Sequence, residues 1–227
     1  GDVTTALEDD IHCMAVTLHH DGEKVTAVSA EVERAPWNTC PGAIAVLVES
    51  FTGLPLVPGG TPGNKRQNCT HLYDLAEWGL GHALERKTMV YDLSVSDPVD
   101  GLVTAALKRD GELMMVWTHR DNVLISPAEL AGAPLLSMRA WLADLPPAER
   151  EAARIIQWGS LVAHGRTMPE FEQGDAAVMP PNCYNFQPER ALLAKRTGFG
   201  RDFSQSNAEP LSHFDGKRFD SASRRDD

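Results

Sequence analysis

The sequence predicts an α+β fold, in which an antiparallel sheet of two hairpins packs with about five helices and an extended C-terminal arm follows. Two Asp-Gly turn signals, Asp21-Gly22 and Asp110-Gly111, each separate two extended runs rich in β-branched residues. Helical periodicity occupies other segments, and no strand–helix–strand alternation indicates a parallel sheet. With 227 residues, 42% of them hydrophobic, the chain is long enough for a substantial core.

The first hairpin is predicted over residues 11–34. Strand alternation places Met14, Val16 and Leu18 on one face, which is therefore the core face. His12 shares that face and points inward at the strand end. It is either a core-edge histidine bonded to the backbone or a member of a site, because both kinds of buried polar group are common.

A helix is predicted over 41–52, since Pro41 suits the first helical position and Gly53 suits a helix end. Cys40 then lies at the helix start. The unpaired amide groups and the positive end of the helix dipole would lower the pKa of its thiol. The alternative, a small residue tolerated at a helix start, is the more common case.

The stretch QNCTHLYDLAEWGLGHAL, residues 67–84, predicts the start of a helix that runs to about residue 87. At about 100° per residue, five side chains of this helix share a face that borders the buried one: His71, Asp74, Leu75, Trp78 and His82. A merely solvated face would carry lysine and glutamate instead. This face therefore indicates a site.

The second hairpin, over 102–125, places His119 near its end, where a surface position is expected. Two helices follow, over 135–145 and 147–164, separated by a Pro-Pro break. Residues 164–166 end the second helix with basic side chains, which the helix dipole favours without any catalytic role.

Periodicity is lost from about residue 168. We therefore divide the chain into an α+β core domain, residues 1–167, and an extended C-terminal arm, residues 168–227. Scattered aromatic residues, Tyr184 among them, favour an arm that packs on the domain or on a second copy, because disordered tails are usually poor in them. This leaves open a homodimer through the arm.

The formal net charge of -11 argues against nucleic acid and against an anionic membrane surface. No apolar run approaches the roughly 20 residues that span a bilayer. The four cysteines are too few for a disulfide framework, and the first residues show no signal peptide. Reduced thiols and a cytoplasmic protein are therefore expected.

The reactive residue types occur in three short motifs, IHCM, CP and CTHLYDL, which contain His12, Cys40, Cys69, His71 and Asp74. In these motifs, and over roughly residues 11–168, the chain resembles the bacterial family called domain of unknown function 2889. It departs from the family pattern at the start, where a further strand pair often precedes the IH motif. The resemblance implies no known reaction, so function must be argued from chemistry.

One interpretation is a metal-dependent enzyme, because Cys, His and Asp side chains bind zinc and other divalent metals. The spacing lacks CxxC, HExxH and HxH patterns. His82 lies about 16 Å further along the helix than His71, so the two cannot share an ion. The cofactor prediction is accordingly none or a single divalent metal ion.

The interpretation that we favour is an enzyme using acid–base chemistry on a small carbonyl or aromatic substrate, of the lyase, isomerase or hydrolase class. Asp74, one turn from His71, would orient its imidazole, and His12 would be the second proton carrier. Three further residues would form the substrate pocket: Trp78, His82 and Tyr184.

Two alternatives remain open. In the first, Cys40 or Cys69 acts as a covalent nucleophile with a neighbouring histidine as base. In the second, the chain is a non-enzymatic binding or assembly module, and the polar residues at 68–74 only cap a helix. An enzyme requires the candidate side chains to converge, whereas a structural set need not.

Overall fold

The computed structural model describes residues 1–57, 62–167, 174–197, 200–204 and 208–220. It confirms the α+β class, and it distributes the strands over two antiparallel sheets, one of three strands and one of four. The chain forms two compact units. We call residues 1–85 and 174–227 the terminal unit, and residues 86–173 the central unit. The predicted boundary after residue 167 borders residues 168–173, which lie outside the described part.

The sheet of the terminal unit has three strands in the order β1 (Asp2–Glu8), β2 (Cys13–His20) and β3 (Val25–Arg34). The pair β2–β3 is the predicted first hairpin, and β1 extends it on the other side of β2. Strand β2 is central, so both of its edges are paired, and side chains on both of its faces are buried. Met14 and Val16 are fully buried on the predicted core face, and Cys13 and Ala15 are buried on the opposite face.

Two helices cover the core face of this sheet. A 3-10 turn (Cys40–Gly42) leads into α1 (Ala43–Phe51), which packs on β3. A second 3-10 turn (Lys65–Gln67) precedes α2 (Thr70–His82), which packs on β1 and β2. The largest side chains of the core come from both helices and from the sheet: Phe51, Leu47, Leu72, Tyr73, Met14 and Leu18.

The sheet of the central unit contains the second hairpin and two more strands, in the order β4 (Tyr91–Val95), β5 (Val103–Arg109), β6 (Glu112–Arg120) and β7 (Val123–Ser126). The surface position expected for His119 is wrong, since this residue is 3% exposed. It is buried because its side chain lies on the face of β6 that α4 covers, where it lines a cavity together with Ser160 and His164.

Helix α3 (Arg139–Asp144) and helix α4 (Pro147–His164) belong to the central unit, and α4 has the bounds that the sequence predicts. Helix α4 packs on β4, β5 and β6. Gly159 permits the close approach to β4, because a Cβ at this position would overlap the Leu93 side chain. No helix among the described residues has both the length and the apolarity needed to cross a bilayer.

The C-terminal segment returns to the terminal unit. It contains two 3-10 turns (Ala176–Val178 and Tyr184–Phe186) and a short helix, α5 (Pro188–Ala191). Further along, Phe219 is 3% exposed and packs on Cys13 and Ala15, so this segment covers the second face of β2. A homodimer through the segment stays a prediction.

Candidate active site

The first turn of α2 is held by contacts with neighbouring segments. Cys69 precedes the helix, and its carbonyl accepts the amide of Tyr73 at 2.9 Å. The carbonyl of the buried Asn68 accepts the amide of Tyr184, also at 2.9 Å. Contacts before and within the turn therefore fix the position of His71, which the turn carries.

His12 and His71, predicted as members of one site, are in direct contact. Their ring centroids are 3.8 Å apart, and the ring planes are inclined by 30°. His12 immediately precedes β2 and is buried, whereas His71 keeps part of its surface accessible. The packing of α2 on the sheet thus stacks two imidazoles that are far apart in the sequence.

Asp9 holds the imidazole of His12. Both carboxylate oxygens lie 3.2 Å from Nδ1 of His12, and Oδ1 also accepts the backbone amides of Ile11 and His12. Burial alone would raise the pKa of Asp9, but the charge and hydrogen bonds of His12 outweigh burial and lower it to about 2. The carboxylate is therefore ionised and can only accept, so Nδ1 of His12 carries the proton.

His71 is held in its neutral form. Burial lowers its pKa well below the usual range, and the charges of His12 and Lys65 lower it further. The charge of Asp9 acts in the opposite direction but is smaller in effect. At neutral pH His71 thus offers one N–H donor and one ring lone pair beside His12.

Asp74 is predicted to orient His71, and the structure shows its carboxylate in an ion pair with the partly exposed Lys65. Lys65 donates to Oδ1 of Asp74 at 2.5 Å, and the same ammonium lies 5.5 Å from the centre of the Tyr73 ring. Asp74 itself is buried. The described hydrogen bonds thus link Lys65 with Asp74 and Asp9 with His12.

Of the two thiols predicted for the site, Cys69 lies beside the imidazole of His71. Sγ of Cys69 is 3.9 Å from Nδ1 of His71. Cys40, Cys69 and Cys183 are close enough together for a charge on one thiol to raise the pKa of another. Burial raises the pKa of Cys69 to about 11 and that of Cys40 to about 12. All four cysteines of the chain are free thiols.

The lowered thiol pKa expected for Cys40 is wrong. Helix α1 begins only at Ala43, so Cys40 lies in the preceding 3-10 turn. Its side chain is 8% exposed, and the cost of burying a thiolate exceeds any gain from nearby amide groups.

The three residues predicted to form a substrate pocket lie in different parts of the terminal unit. Trp78 packs against the core. His82 ends α2, about 16 Å along the axis from His71, and its Nδ1 lies 2.8 Å from Glu85. Tyr184 lies against the start of α1, where a Cβ on Gly42 would come within 2.7 Å of its hydroxyl.

A second cluster of ligand-type side chains lies on the opposite face of β2. The ligand atoms of Glu8, Cys13 and His213 are all within 4.8 Å of one another. Glu8 has a fully buried side chain and also accepts from Arg34 at 3.1 Å and from the amide of Leu211 at 2.6 Å. The set could hold a divalent metal ion, although the carboxylate already has protein partners.

Sequence reasoning missed Asp9, Lys65 and Cys183. Asp9 has a usable signal, because an acidic residue three positions before a strand-start histidine can reach its ring through a tight turn. Lys65 and Cys183 carry no local signal, since their partners are distant in the sequence. No family model, no curated protein and no solved structure matches the chain.

Proposed function

We propose that the terminal unit is an enzyme that uses acid–base chemistry on a small carbonyl or aromatic compound, in the manner of a lyase, isomerase or hydrolase. The observation that carries this proposal is the stack of His12 on His71, with an ionised Asp9 on Nδ1 of His12. When two titratable groups are in contact and their environments move their pKa values apart, one is suited to accept a proton and the other to stay neutral.

In this mechanism Asp9 fixes the tautomer of His12, so that Nε2 carries the lone pair that accepts a proton from substrate carbon. The electron pair of the broken C–H bond moves onto the carbonyl oxygen. Neutral His71 donates a hydrogen bond to that oxygen, as a preorganised donor. His12 then returns the proton to the same or a neighbouring carbon, which completes an exchange or an isomerisation.

Two further features support the acid–base route. His71 keeps part of its side chain accessible, although its Nε2 atom is buried, so a substrate would reach the pair along the exposed edge of the ring. The raised pKa values of Cys40 and Cys69 leave both thiols protonated at neutral pH, and a thiol is a much weaker nucleophile than a thiolate. The covalent alternative is therefore less well supported.

Solvent isotope exchange tests the proposal across a panel of candidate substrates. The protein is incubated in D2O with small ketones, hydroxyketones and aromatic carbonyl compounds, and deuterium on carbon is measured by NMR. We expect exchange in at least one compound, and His12→Gln should slow it by about 10²–10⁴-fold, as loss of a positioned proton carrier does.

The matched control is His19→Gln. His19 lies on β2, the strand that follows His12, and it also contacts a carboxylate, with Nδ1 2.8 Å from Asp2, but this pair is exposed to solvent. Exchange should be unchanged in this variant. Equal exchange in wild type and both variants, or none with any compound, would instead favour the non-enzymatic module.

A metal-dependent function is the second candidate, and the convergence of Glu8, Cys13 and His213 favours it. A carboxylate, a thiolate and an imidazole are ordinary zinc ligands. Burial raises the pKa of Cys13 to about 12, and a bound metal would deprotonate the thiol outright. This set differs from the His, Cys and Asp residues that the sequence suggested.

Metal content separates this candidate from the first. If the cluster is a metal site, the protein loaded with Co²⁺ should bind one equivalent and show thiolate-to-cobalt absorption. Cys13→Ser should abolish that absorption, whereas Cys183→Ser, which changes a thiol outside the cluster, should keep it. Binding below one equivalent, or absorption that survives Cys13→Ser, would exclude the cluster.

A further inference from the structure

The central unit contains a buried histidine whose hydrogen-bonding groups are unused. His119 is 3% exposed, and among the described residues neither of its ring nitrogens has a hydrogen-bond partner. Burial lowers its pKa, and the charge of His164 lowers it further. A neutral imidazole presents one N–H and one lone pair, and leaving both unmatched inside a protein is costly.

His119 lines a small cavity that opens between the sheet and helix α4. The cavity is small, with a volume of about 20 Å³, and it is partly open to solvent. Its walls come from the strand region at Ser96 and Val103, from Ser160 and His164 on α4, and from Arg166 in the turn that follows. The ring of His119 therefore borders the space that a ligand could occupy.

The charges of the lining residues point to an anion. His119, His164 and Arg166 are the ionisable residues among those that line the cavity, and all three are basic. Arg166 is held in place, since it donates to the Val95 carbonyl at 3.0 Å and lies 3.3 Å from Asp97, whose side chain is 83% exposed. A guanidinium with a solvent-exposed partner can bind a second anionic group in its fixed fork geometry.

We propose that this cavity binds a small oxyanion, the carboxylate or phosphate group of a small molecule. His119 supplies a buried N–H donor, and Arg166 supplies the charge. Ser160 donates its hydroxyl proton within α4, to the Ile156 carbonyl at 2.8 Å, so the donors toward the anion are the basic side chains. The competing explanation is an ordered water on His119, which would show no preference for anions.

NMR of the full chain with labelled histidine tests the proposal. The protein is titrated with inorganic phosphate in one arm and with acetate in the other, at constant ionic strength set with sodium chloride. The His119 ring signals should shift with saturation in at least one arm. Arg166→Gln should weaken the binding about tenfold or more, as loss of a charge-assisted hydrogen bond does.

The matched control is Arg139→Gln, which removes the same charge from an exposed position on α3 in the same unit. It should leave the affinity unchanged. Saturable shifts with phosphate alone assign a phosphate-bearing ligand, and shifts with acetate alone assign a carboxylate. His119 signals that do not move in either arm, or equal weakening by the two arginine variants, would overturn the proposal.

Discussion

Asp9→Asn is expected to slow substrate exchange by about 10²–10⁴-fold, the largest effect on activity that the site predicts. Asparagine keeps the shape of the side chain and can still accept the backbone amides of Ile11 and His12 through Oδ1. It loses the charge, and its amide can donate to Nδ1 of His12. The proton then moves to Nε2, which removes the lone pair that the mechanism uses. The ¹⁵N shifts of the His12 ring report this change of tautomer directly.

The same variant should alter stability in a pH-dependent way. The pKa of Asp9 is lowered from 3.8 to about 2 in the folded protein, so its ionised form contributes stability above the unfolded value. This contribution is roughly 2 kcal/mol at neutral pH and is lost as the pH falls through the folded pKa. Wild type and Asp9→Asn should therefore differ in unfolding free energy at pH 7 and converge as the pH approaches 2.

Asp2→Asn is the control for both measurements. Asp2 contacts His19 on the same sheet, but its carboxylate is exposed and outside the site. The Asp2→Asn variant should catalyse substrate exchange at the wild-type rate. The proposal fails if Asp9→Asn changes the melting temperature while exchange stays at the wild-type rate, because Asp9 would then only cap the turn.

The predictable part of the fold is set by local chemistry. The Asp110-Gly111 turn has positive φ at both residues, as a tight two-residue hairpin turn requires, and the sequence shows that requirement as Asp-Gly. Strands β1 and β4 carry no such signal. The sequences DVTTALE and YDLSV are short, and each forms a strand by pairing with the edge of a hairpin. The division into two sheets likewise depends on long-range pairing.

The candidate site is predictable only where its residues carry local signals in the sequence. His12 follows from strand alternation and His71 from the polar face of a helix start, so both can be named from local periodicity. Asp9, three positions before His12, also carries a local signal, whereas the contact of His12 with His71 depends on how α2 packs on the sheet. Burial is also non-local, which is why the predictions for the pKa of Cys40 and the position of His119 are wrong.

The largest effect on stability is expected for Arg34→Met. Arg34 donates to the buried carboxylate of Glu8 at 3.1 Å and to the carbonyl of Asp9 at 2.7 Å, so it joins the sheet to the turn that carries Asp9. Methionine keeps much of the apolar length but leaves Glu8 as a buried charge short of one partner. Removing one member of a buried ion pair costs about 3–5 kcal/mol. Arg201 lies 3.6 Å from the same carboxylate, so the loss of stability should be near the lower end of this range.

Urea denaturation measures the effect, and Arg218→Met provides the comparison. Arg218 forms an exposed ion pair with Asp215 at 3.9 Å, and loss of such a pair changes stability by about 0–1 kcal/mol. If the cost in Arg34→Met comes from the uncompensated charge on Glu8, a further Glu8→Gln change should restore part of the lost stability, because a neutral amide is less costly to bury. A double variant less stable than Arg34→Met would show that the loss comes from packing. Recovery would show that one buried charge, held by Arg34, stabilises both the sheet and the turn bearing Asp9.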